Sequence, residues 1–201
     1  MKKIIVILTI PILLILAVLS FKTNYRLLSA DIDFNPYNIG DTLLFNSSNK
    51  EKDTLIIHSI EQRILTEKCY SFLTCVFSKL TTDSWEGFYV NTVKNNKNWT
   101  GKNLLTIRAE SDGRKTIHFS IYLDNAWWYG DCEENLEQIK NSNSITYNNG
   151  TQKFADVQVI ISTNKEYLKK VNYIERIYWS KSYGLVGFDK LNGDEWSVIK
   201  K

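Results

Sequence analysis

The chain has 201 residues, and with 43% hydrophobic and 23% charged residues its composition is that of a folded domain rather than a disordered segment. Its formal net charge is +3, and beyond residue 21 it falls to +1, with 23 Lys and Arg against 22 Asp and Glu. Because useful phosphate binding takes about 6–10 neutralised phosphates, this balance excludes a basic nucleic-acid binder. A single apolar segment at the N-terminus excludes a polytopic membrane protein and a plain cytoplasmic enzyme.

Residues 1–21 begin with two lysines and continue as an apolar run from Ile4 to Phe21, in which 15 of 18 residues are apolar. As a helix this run reaches about 27 Å, close to the hydrocarbon thickness of a bilayer. We predict a hydrophobic helix that engages the membrane through residues 4–21, either as a retained anchor or as a removed signal peptide. Both alternatives place the body outside the cytoplasm, as a single-pass protein of the cell membrane or as a secreted or periplasmic one.

Residues 22–40 show no sustained hydrophobic period and contain Pro36 and Gly40. We interpret them as a tether that leads into the first strand. Residues 41–201 then form a single β-rich domain. Both prolines of the chain precede residue 41, so none of the predicted strands is interrupted by a proline.

Apolar and polar residues alternate with a period of two through much of this domain, which is typical of antiparallel strands with one buried face. Turn signals such as Asn-Gly and Asp-Gly separate the runs and suit short hairpins. The predicted buried faces are Ile117, Phe119, Ile121 and Leu123; Ile56, His58, Ile60 and Ile64; and Ala155, Val157, Val159 and Ile161, the last opposite Gln158.

The predicted fold is mainly β, an antiparallel meander that forms a curved sheet, half-barrel or barrel, with a β-sandwich as the alternative. One short helix is predicted from Cys132 to Lys140, with acidic residues near its start and a lysine at its end. A further turn is expected at Lys165–Lys170. The predicted strands are 41–47, 53–65, 69–79, 86–93, 103–110, 114–124, 126–130, 143–148, 151–162, 171–180, 183–189 and 194–199.

The three cysteines allow at most one disulfide. Cys69 and Cys75 lie on one predicted strand, about 20 Å apart, whereas a disulfide needs Cα atoms about 4.4–6.8 Å apart. Either one could pair with Cys132, or all three could remain unpaired. Two histidines, His58 and His118, and scattered cysteines do not supply a metal-ligand pattern, so no metal, cofactor or catalytic residue is predicted.

Aromatic residues make up 13% of the chain, and three of them are consecutive, Trp127, Trp128 and Tyr129. On a strand, Trp127 and Tyr129 would point to one face and Trp128 to the other. One face must pack in the core, and the other could contact a sugar, a lipid or a partner protein. These three residues are therefore the candidate ligand-binding residues, with core packing of all three as the alternative.

Two segments of the domain carry hairpin patterns. The C-terminal pattern consists of Tyr178, Ser180, Tyr183, Gly184, Leu185, Gly193 and Trp196, and the N-terminal pattern of Gly40, Leu44, Phe45 and residues 53–57. Over about 55 residues these patterns resemble those of uncharacterised small exported bacterial β-rich proteins, many of them lipoproteins. The chain departs from the lipoproteins because no lipid-accepting cysteine follows its apolar run. The resemblance implies an exported, membrane-tethered β domain, and it implies no functional residue.

The sequence therefore predicts a non-enzymatic domain outside the cytoplasm that binds an apolar ligand or a partner protein. A structural or assembly component of an envelope complex is the first alternative. A hydrolase acting on glycans or lipids is the second, and it would need clustered ionisable groups in a pocket.

Overall fold

A computed structural model describes residues 24–66, 84–94, 102–128, 134–162 and 167–200, and strands dominate these ranges. The apolar segment 1–21, the predicted strand 69–79 and the three cysteines lie outside them. The strands are β1 (Asn24–Tyr25), β2 (Thr42–Ser47), β3 (Lys52–Thr66), β4 (Ser84–Lys94), β5 (Lys102–Ala109), β6 (Lys115–Phe119), β7 (Ile121–Tyr122), β8 (Trp127–Trp128), β9 (Glu134–Asn135), β10 (Ile145–Asn148), β11 (Lys153–Ile161), β12 (Ile174–Ser180), β13 (Gly184–Lys190) and β14 (Glu195–Lys200). The helices are α1 (Ser29–Ile32), α2 (Leu136–Asn141) and a 3-10 turn at Tyr167–Lys169.

One large sheet contains all but two of these strands. Most strands that pair within this sheet also follow one another in the sequence. The order is β10–β11–β12–β13–β14–β2–β3–β4–β5–β6–β9, with β1 added parallel to β4 and all other pairs antiparallel. The last strand, β14, pairs with β2 and so joins the two ends of the domain. The prediction of a mainly β, antiparallel sheet is confirmed. Within the described ranges the sheet does not close into a barrel.

The sheet wraps around one core, because strands far apart in its order touch each other. Phe119 on β6 and Trp179 on β12 are seven places apart in the strand order. A flat sheet would separate them by about 34 Å, yet their ring centroids are 4.8 Å apart. Leu136 and Ile139 of α2 are buried in the same core. Since α2 connects β9 to β10, it bridges the two ends of the curved sheet.

The predicted helix is present as α2, but it begins at Leu136 rather than at Cys132. Asn135 caps it, because its side chain accepts hydrogen bonds from the backbone N–H groups of Glu137 and Gln138. Lys140 lies in its last turn, as the helix dipole favours. The other helix, α1, was not predicted from the sequence.

The predicted buried face of β3 is only partly right, and the inward face of the strand changes at a β-bulge. Its pairing with β4 shifts between Ile57 and Ser59, which leaves His58 as the extra residue. Leu55 and Ile57 face the core before the bulge, and Ile60 packs against the core after it, as predicted. His58 is exposed, and Ile64 is 59% exposed. His58 is therefore not a core histidine.

The predicted face of β11 is also wrong for most of its length. Its pairing with β10 is irregular, and beyond the irregularity Gln158 and Ile160 are buried. Val159 and Ile161, which we expected to be buried, are 38% and 57% exposed. The predicted face of the segment 114–124 is confirmed, and its buried members are Ile117, Phe119, Ile121 and Leu123.

The described part of the expected tether, residues 24–40, packs onto the sheet. Leu27, Phe34 and Tyr37 are buried in the main core. The ring of Phe34 stacks on that of Trp179 at a centroid distance of 5.8 Å. The hydroxyl oxygen of Tyr37 accepts a hydrogen bond of 2.7 Å from the backbone N–H of Leu185. These contacts make the segment part of the folded unit rather than a free spacer.

The position of Tyr37 depends on Gly184, one of the residues of the C-terminal hairpin pattern. Gly184 has a φ of +82°, a conformation that residues with a side chain rarely adopt. A Cβ atom at this position would also overlap the hydroxyl group of Tyr37. Glycine is therefore required here both by the turn and by the close approach of the N-terminal segment.

Asp31 holds α1 at the place where the two ends of the sheet approach each other. It is 1% exposed, and its carboxylate lies 2.6 Å from Nζ of Lys115 on β6 and 2.8 Å from Nζ of Lys140 on α2. The backbone N–H of Leu28 also donates to it, at 2.8 Å. Burial opposes ionisation, but these hydrogen bonds outweigh it and hold the pKa of Asp31 below its usual value.

Replacing Tyr37 by Phe tests the docking of residues 24–40. The backbone N–H of Leu185 would remain buried without an acceptor, so we expect the free energy of unfolding to fall by about 1–3 kcal/mol. Urea denaturation of the full-length protein in mild detergent measures it. Tyr183→Phe, at a tyrosine that is 45% exposed, is the matched control and should change stability by less than about 0.5 kcal/mol. Equal stability of Tyr37→Phe and the wild type would contradict the docking.

Replacing Asp31 by Asn tests the ionic contact between α1, β6 and α2. A carboxyl whose pKa is lowered by folding contributes stability that is present above the unfolded pKa of about 3.9 and is lost as the pH falls through the folded pKa. We expect Asp31→Asn to cost about 2–3 kcal/mol at pH 7. The variant should also lose less stability than the wild type when urea midpoints are compared between pH 5 and pH 3.

Asp112→Asn is the control for this comparison, because Asp112 forms an exposed ion pair with Arg114. It should change stability at pH 7 by less than about 1 kcal/mol. If Asp31→Asn lost as much stability between pH 5 and pH 3 as the wild type, Asp31 would not contribute to the pH dependence of the free energy of unfolding.

Candidate functional site

The structure brings together two of the three aromatic residues singled out from the sequence. Trp127 and Trp128 form β8, which pairs with β7 outside the large sheet. Trp128 is buried and stacks on Tyr173 at a centroid distance of 6.0 Å, so it packs in the core. Trp127 is half-buried and meets Tyr173 and Tyr167 edge-on, at 4.8 and 5.1 Å. Tyr129 lies outside the described residues.

The accessible side of Trp127 is partly covered by a cation of the chain itself. Nζ of Lys170 lies 5.4 Å from the centroid of the Trp127 ring and 5.3 Å from that of Tyr167. Such cation–π contacts are favourable. A ligand that stacked on Trp127 would therefore compete with Lys170. Ligand binding by these aromatic residues remains a prediction from the sequence.

An open groove, which we call the α2–β11 groove, lies between the end of α2 and the second half of β11. It has a volume of about 300 Å³, at the lower end of the range typical of ligand sites. Its lining residues are Gln138, Ile139, Ser142, Gln158, Val159, Ile160 and Ile161.

The α2–β11 groove runs along a free strand edge. Strand β10 covers only the first half of β11, and its pairing ends where Ile145 meets Val157. From Gln158 to Ile161, β11 pairs with β12 on one side, and none of the described strands pairs with it on the other. Antiparallel edges present backbone N–H and C=O groups for pairing. The free edge is about 13 Å long.

The outer face beside this edge is apolar and exposed. Ile145 is 43% exposed, and Val159 and Ile161 are also accessible. Since side chains alternate along a strand, Gln158 and Ile160 point to the inner face instead. The outer row continues into a small apolar cluster of Phe154, Val157, Val186, Tyr147 and Tyr178. A strand added at this edge would meet an apolar outer row and a buried inner wall.

Gln158 is the polar member of the inner wall, and it is 1% exposed. Its Nε2 donates a hydrogen bond to the backbone carbonyl of Ile139, which also accepts from the hydroxyl of Ser142 at 2.9 Å. Because a carbonyl oxygen only accepts, Nε2 must face Ile139, and Oε1 is the remaining atom. Oε1 is buried and has no hydrogen-bond partner in the part of the chain that the structure describes.

Trp179 is the direct cross-strand partner of Gln158 in the β11–β12 pair. Its indole Nε1–H is buried and likewise lacks an acceptor among the residues described. Each unpaired buried polar group of this kind costs about 1–3 kcal/mol. Of these two residues only Gln158 lines the groove, whereas Trp179 is packed in the main core.

Among the described residues, the most deeply buried ion pair lies elsewhere, between Lys190 and Asp194 within the β13–β14 hairpin. Asp194 accepts hydrogen bonds of 2.8 Å from Ser48 Oγ and from Trp196 Nε1, and Nζ of Lys190 lies 3.2 Å away. Burial opposes ionisation, but these contacts hold the pKa of Asp194 below its usual value. Asp194 therefore stabilises the contact between the β13–β14 hairpin and the turn that follows β2.

Sequence reasoning missed the α2–β11 groove because it placed Gln158 on the polar face of β11. A single glutamine within an otherwise apolar run, from Val157 to Ile161, was the available signal. A polar residue in such a run is costly to bury unless it has a partner. The pattern alone did not reveal that this residue faces the core.

Comparison with protein-family models, with curated proteins and with solved structures found no match for the chain. The resemblance of its hairpins to exported bacterial proteins therefore stays a prediction. Among the described helices none is long and apolar enough to cross a membrane. No group of three or more potential metal-ligating side chains occurs in the same part of the chain.

Proposed function

We propose that this protein is a non-enzymatic binding domain that takes up an extended segment of a partner protein by strand addition. The observation that carries the proposal is the edge of β11 from Gln158 to Ile161, which pairs with none of the described strands and lies beside an open groove. In strand addition, main-chain hydrogen bonds give affinity and pockets for alternate side chains give specificity. The exposed Val159 and Ile161 supply apolar contacts on the outer face.

The packing of the core favours a partner segment over an apolar ligand held inside the curved sheet. The inner side of the sheet is occupied by the chain's own rings, since Trp179 contacts Phe34, Tyr37 and Phe119 at centroid distances of 4.8 to 5.8 Å. An enclosed lipid would have to displace these rings. A segment bound at the edge of β11 leaves them in place.

We further propose that the domain lies outside the cytoplasm, attached to the membrane through residues 4–21 or released after their removal. The apolar run and the lysines before it support this location. Intact-mass measurement of the mature protein separates the two forms, because signal removal shortens the chain by about 20 residues. Protease added to intact cells or spheroplasts should digest the domain. Full protection until the membrane is broken would contradict the location.

Strand addition predicts that lysines on the outer face of the β11 edge abolish binding. The double variant Val159→Lys, Ile161→Lys should remain folded, because both side chains are exposed, but lysines on an edge strand disfavour pairing with another strand. The probe is a phage-displayed library of random seven-residue peptides selected on the wild-type protein. We expect the double variant to bind the selected peptides at least tenfold more weakly.

Ile64→Lys is the matched control, since Ile64 is also an exposed isoleucine on a strand and lies on β3. Its peptide affinity should equal that of the wild type. Methylating alternate backbone nitrogens of a selected peptide should weaken binding if main-chain hydrogen bonds are used. Peptides that bind the double variant as well as the wild type, or a selection that yields no binder, would contradict strand addition at β11.

A further inference from the structure

The first described residue, Asn24, lies at the end of the sheet where β4 begins. Asn24 is opposite Ser84 in the β1–β4 pair, and Thr66, the last residue of β3, is opposite Ser84 on the other side. We call this end of the sheet the β1 end. The apolar run ends at Phe21, three residues before Asn24, and a chain spans at most about 3.6 Å per residue. The β1 end therefore lies within about 11 Å of the end of the apolar run.

Two large apolar side chains at the β1 end are exposed. Ile64, near the end of β3, is 59% exposed, and Leu28 is 61% exposed. Glu86 links them, because Ile64 is its cross-strand partner and the backbone N–H of Leu27 donates to its carboxylate at 2.9 Å. Trp85, the residue before Glu86, is half-buried. Exposed aliphatic side chains beside a tryptophan are typical of surfaces that enter the interface of a bilayer.

Three arginines accompany these apolar side chains. Arg26 and Arg63 are exposed, and Arg108 is half-buried. Arg63 and Arg108 flank Gly87 as its partners on β3 and β5. Of the three arginines, only Arg63 forms an ion pair within the part of the chain that the structure describes, with Glu61. Guanidinium groups bind phosphates with two parallel hydrogen bonds, so the β1 end offers contacts for the phosphates of lipid head groups.

We infer that the β1 end rests on the surface of the bilayer. Leu28, Ile64 and Trp85 enter the interfacial region, and the arginines pair with lipid phosphates. A lipid surface fits this end better than a second protein, because the apolar run, once in the membrane, holds the β1 end within about 11 Å of it. The inference rests on the proposed attachment through residues 4–21, in its retained form, and adds the face by which the domain contacts the membrane.

Trp127 lies at the other end of β4 and is the reference point for this orientation. Asp124, three residues before it, forms an ion pair of 2.6 Å with Lys94, the last residue of β4. Lys94 is about 33 Å along the strand from the first residue of β4. Val171, which is 67% exposed, lies near Trp127, since the backbone N–H of Trp127 donates to the carbonyl of Asn172. The inferred orientation therefore places Trp127 and Val171 away from the bilayer.

Broadening of tryptophan indole resonances by a spin-labelled lipid tests the orientation on the full-length protein. The protein, labelled with ¹⁵N-tryptophan, is incorporated into phosphatidylcholine bicelles with or without a lipid that carries a spin label on its head group. The Nε1–H resonances of Trp85 and Trp127 are identified by their absence from the NMR spectra of Trp85→Phe and Trp127→Phe. We expect the spin label to weaken the Trp85 resonance at least twofold more than the Trp127 resonance.

Ile64→Asp tests whether the apolar contact holds the β1 end on the bilayer. A carboxylate is costly to bury in the interface, so we expect the difference between the Trp85 and Trp127 resonances to shrink at least twofold. Val171→Asp is the matched control, because it places the same charge on an exposed aliphatic position near Trp127. It should leave the difference unchanged. Both variants should remain folded, since both side chains are exposed.

The outcomes separate this inference from the proposals on which it does not depend. Equal broadening of the Trp85 and Trp127 resonances, in protein that co-elutes with the bicelles, would overturn the orientation and leave the attachment standing. A wild-type difference in Ile64→Asp would overturn the apolar contact. Protein that elutes without lipid would contradict both the attachment through residues 4–21 and the inference that rests on it. Strand addition is tested separately, by peptide binding at the edge of β11.

Discussion

The packing of Trp179 is the contact on which the rest of the structure depends. Its ring touches Phe34 and Tyr37 from the N-terminal segment and Phe119 from the far side of the sheet, at 4.8 to 5.8 Å. These contacts can form only if the sheet curls, because a flat sheet would hold β6 and β12 far apart. Burial of this one tryptophan therefore links the curvature of the sheet to the docking of residues 24–40.

The same curvature creates the candidate site. As the sheet curls, its two ends approach each other, but α2 lies between them and the described strands do not close the gap. Strand β10 covers only half of β11, so the last four residues of this edge pair with none of the described strands. Natural edge strands are usually protected by charges, prolines or bulges. This edge instead carries Val159 and Ile161, which is why we propose that it pairs with a partner.

The fold class was accessible from sequence, whereas the faces of individual strands were not. Alternation in the segment 114–124 correctly marked Ile117 and Phe119 as buried, because its apolar residues all fall on one side. In β3 and β11 the pairing with a neighbouring strand is irregular. At such an irregularity the alternation of inward and outward side chains shifts by one residue, which exchanges the two faces of the strand. Gln158 was misplaced for this reason, whereas His58 was misplaced because Leu55 and Ile57, rather than Ile56, form the inner face before the bulge. The site was missed with Gln158, since it depends on this residue facing inward.

The sequence by itself determined the antiparallel β class, the positions of the hairpin turns and the neighbourhood of α2, because each of these depends on local periodicity and on residues close together in the chain. Only the tertiary structure decided that β14 pairs with β2, that Tyr37 reaches Leu185 and that Gln158 lies beside Trp179. These arrangements join residues far apart in the chain. Their free energy comes from shared burial and complementary hydrogen bonds, which no local pattern records.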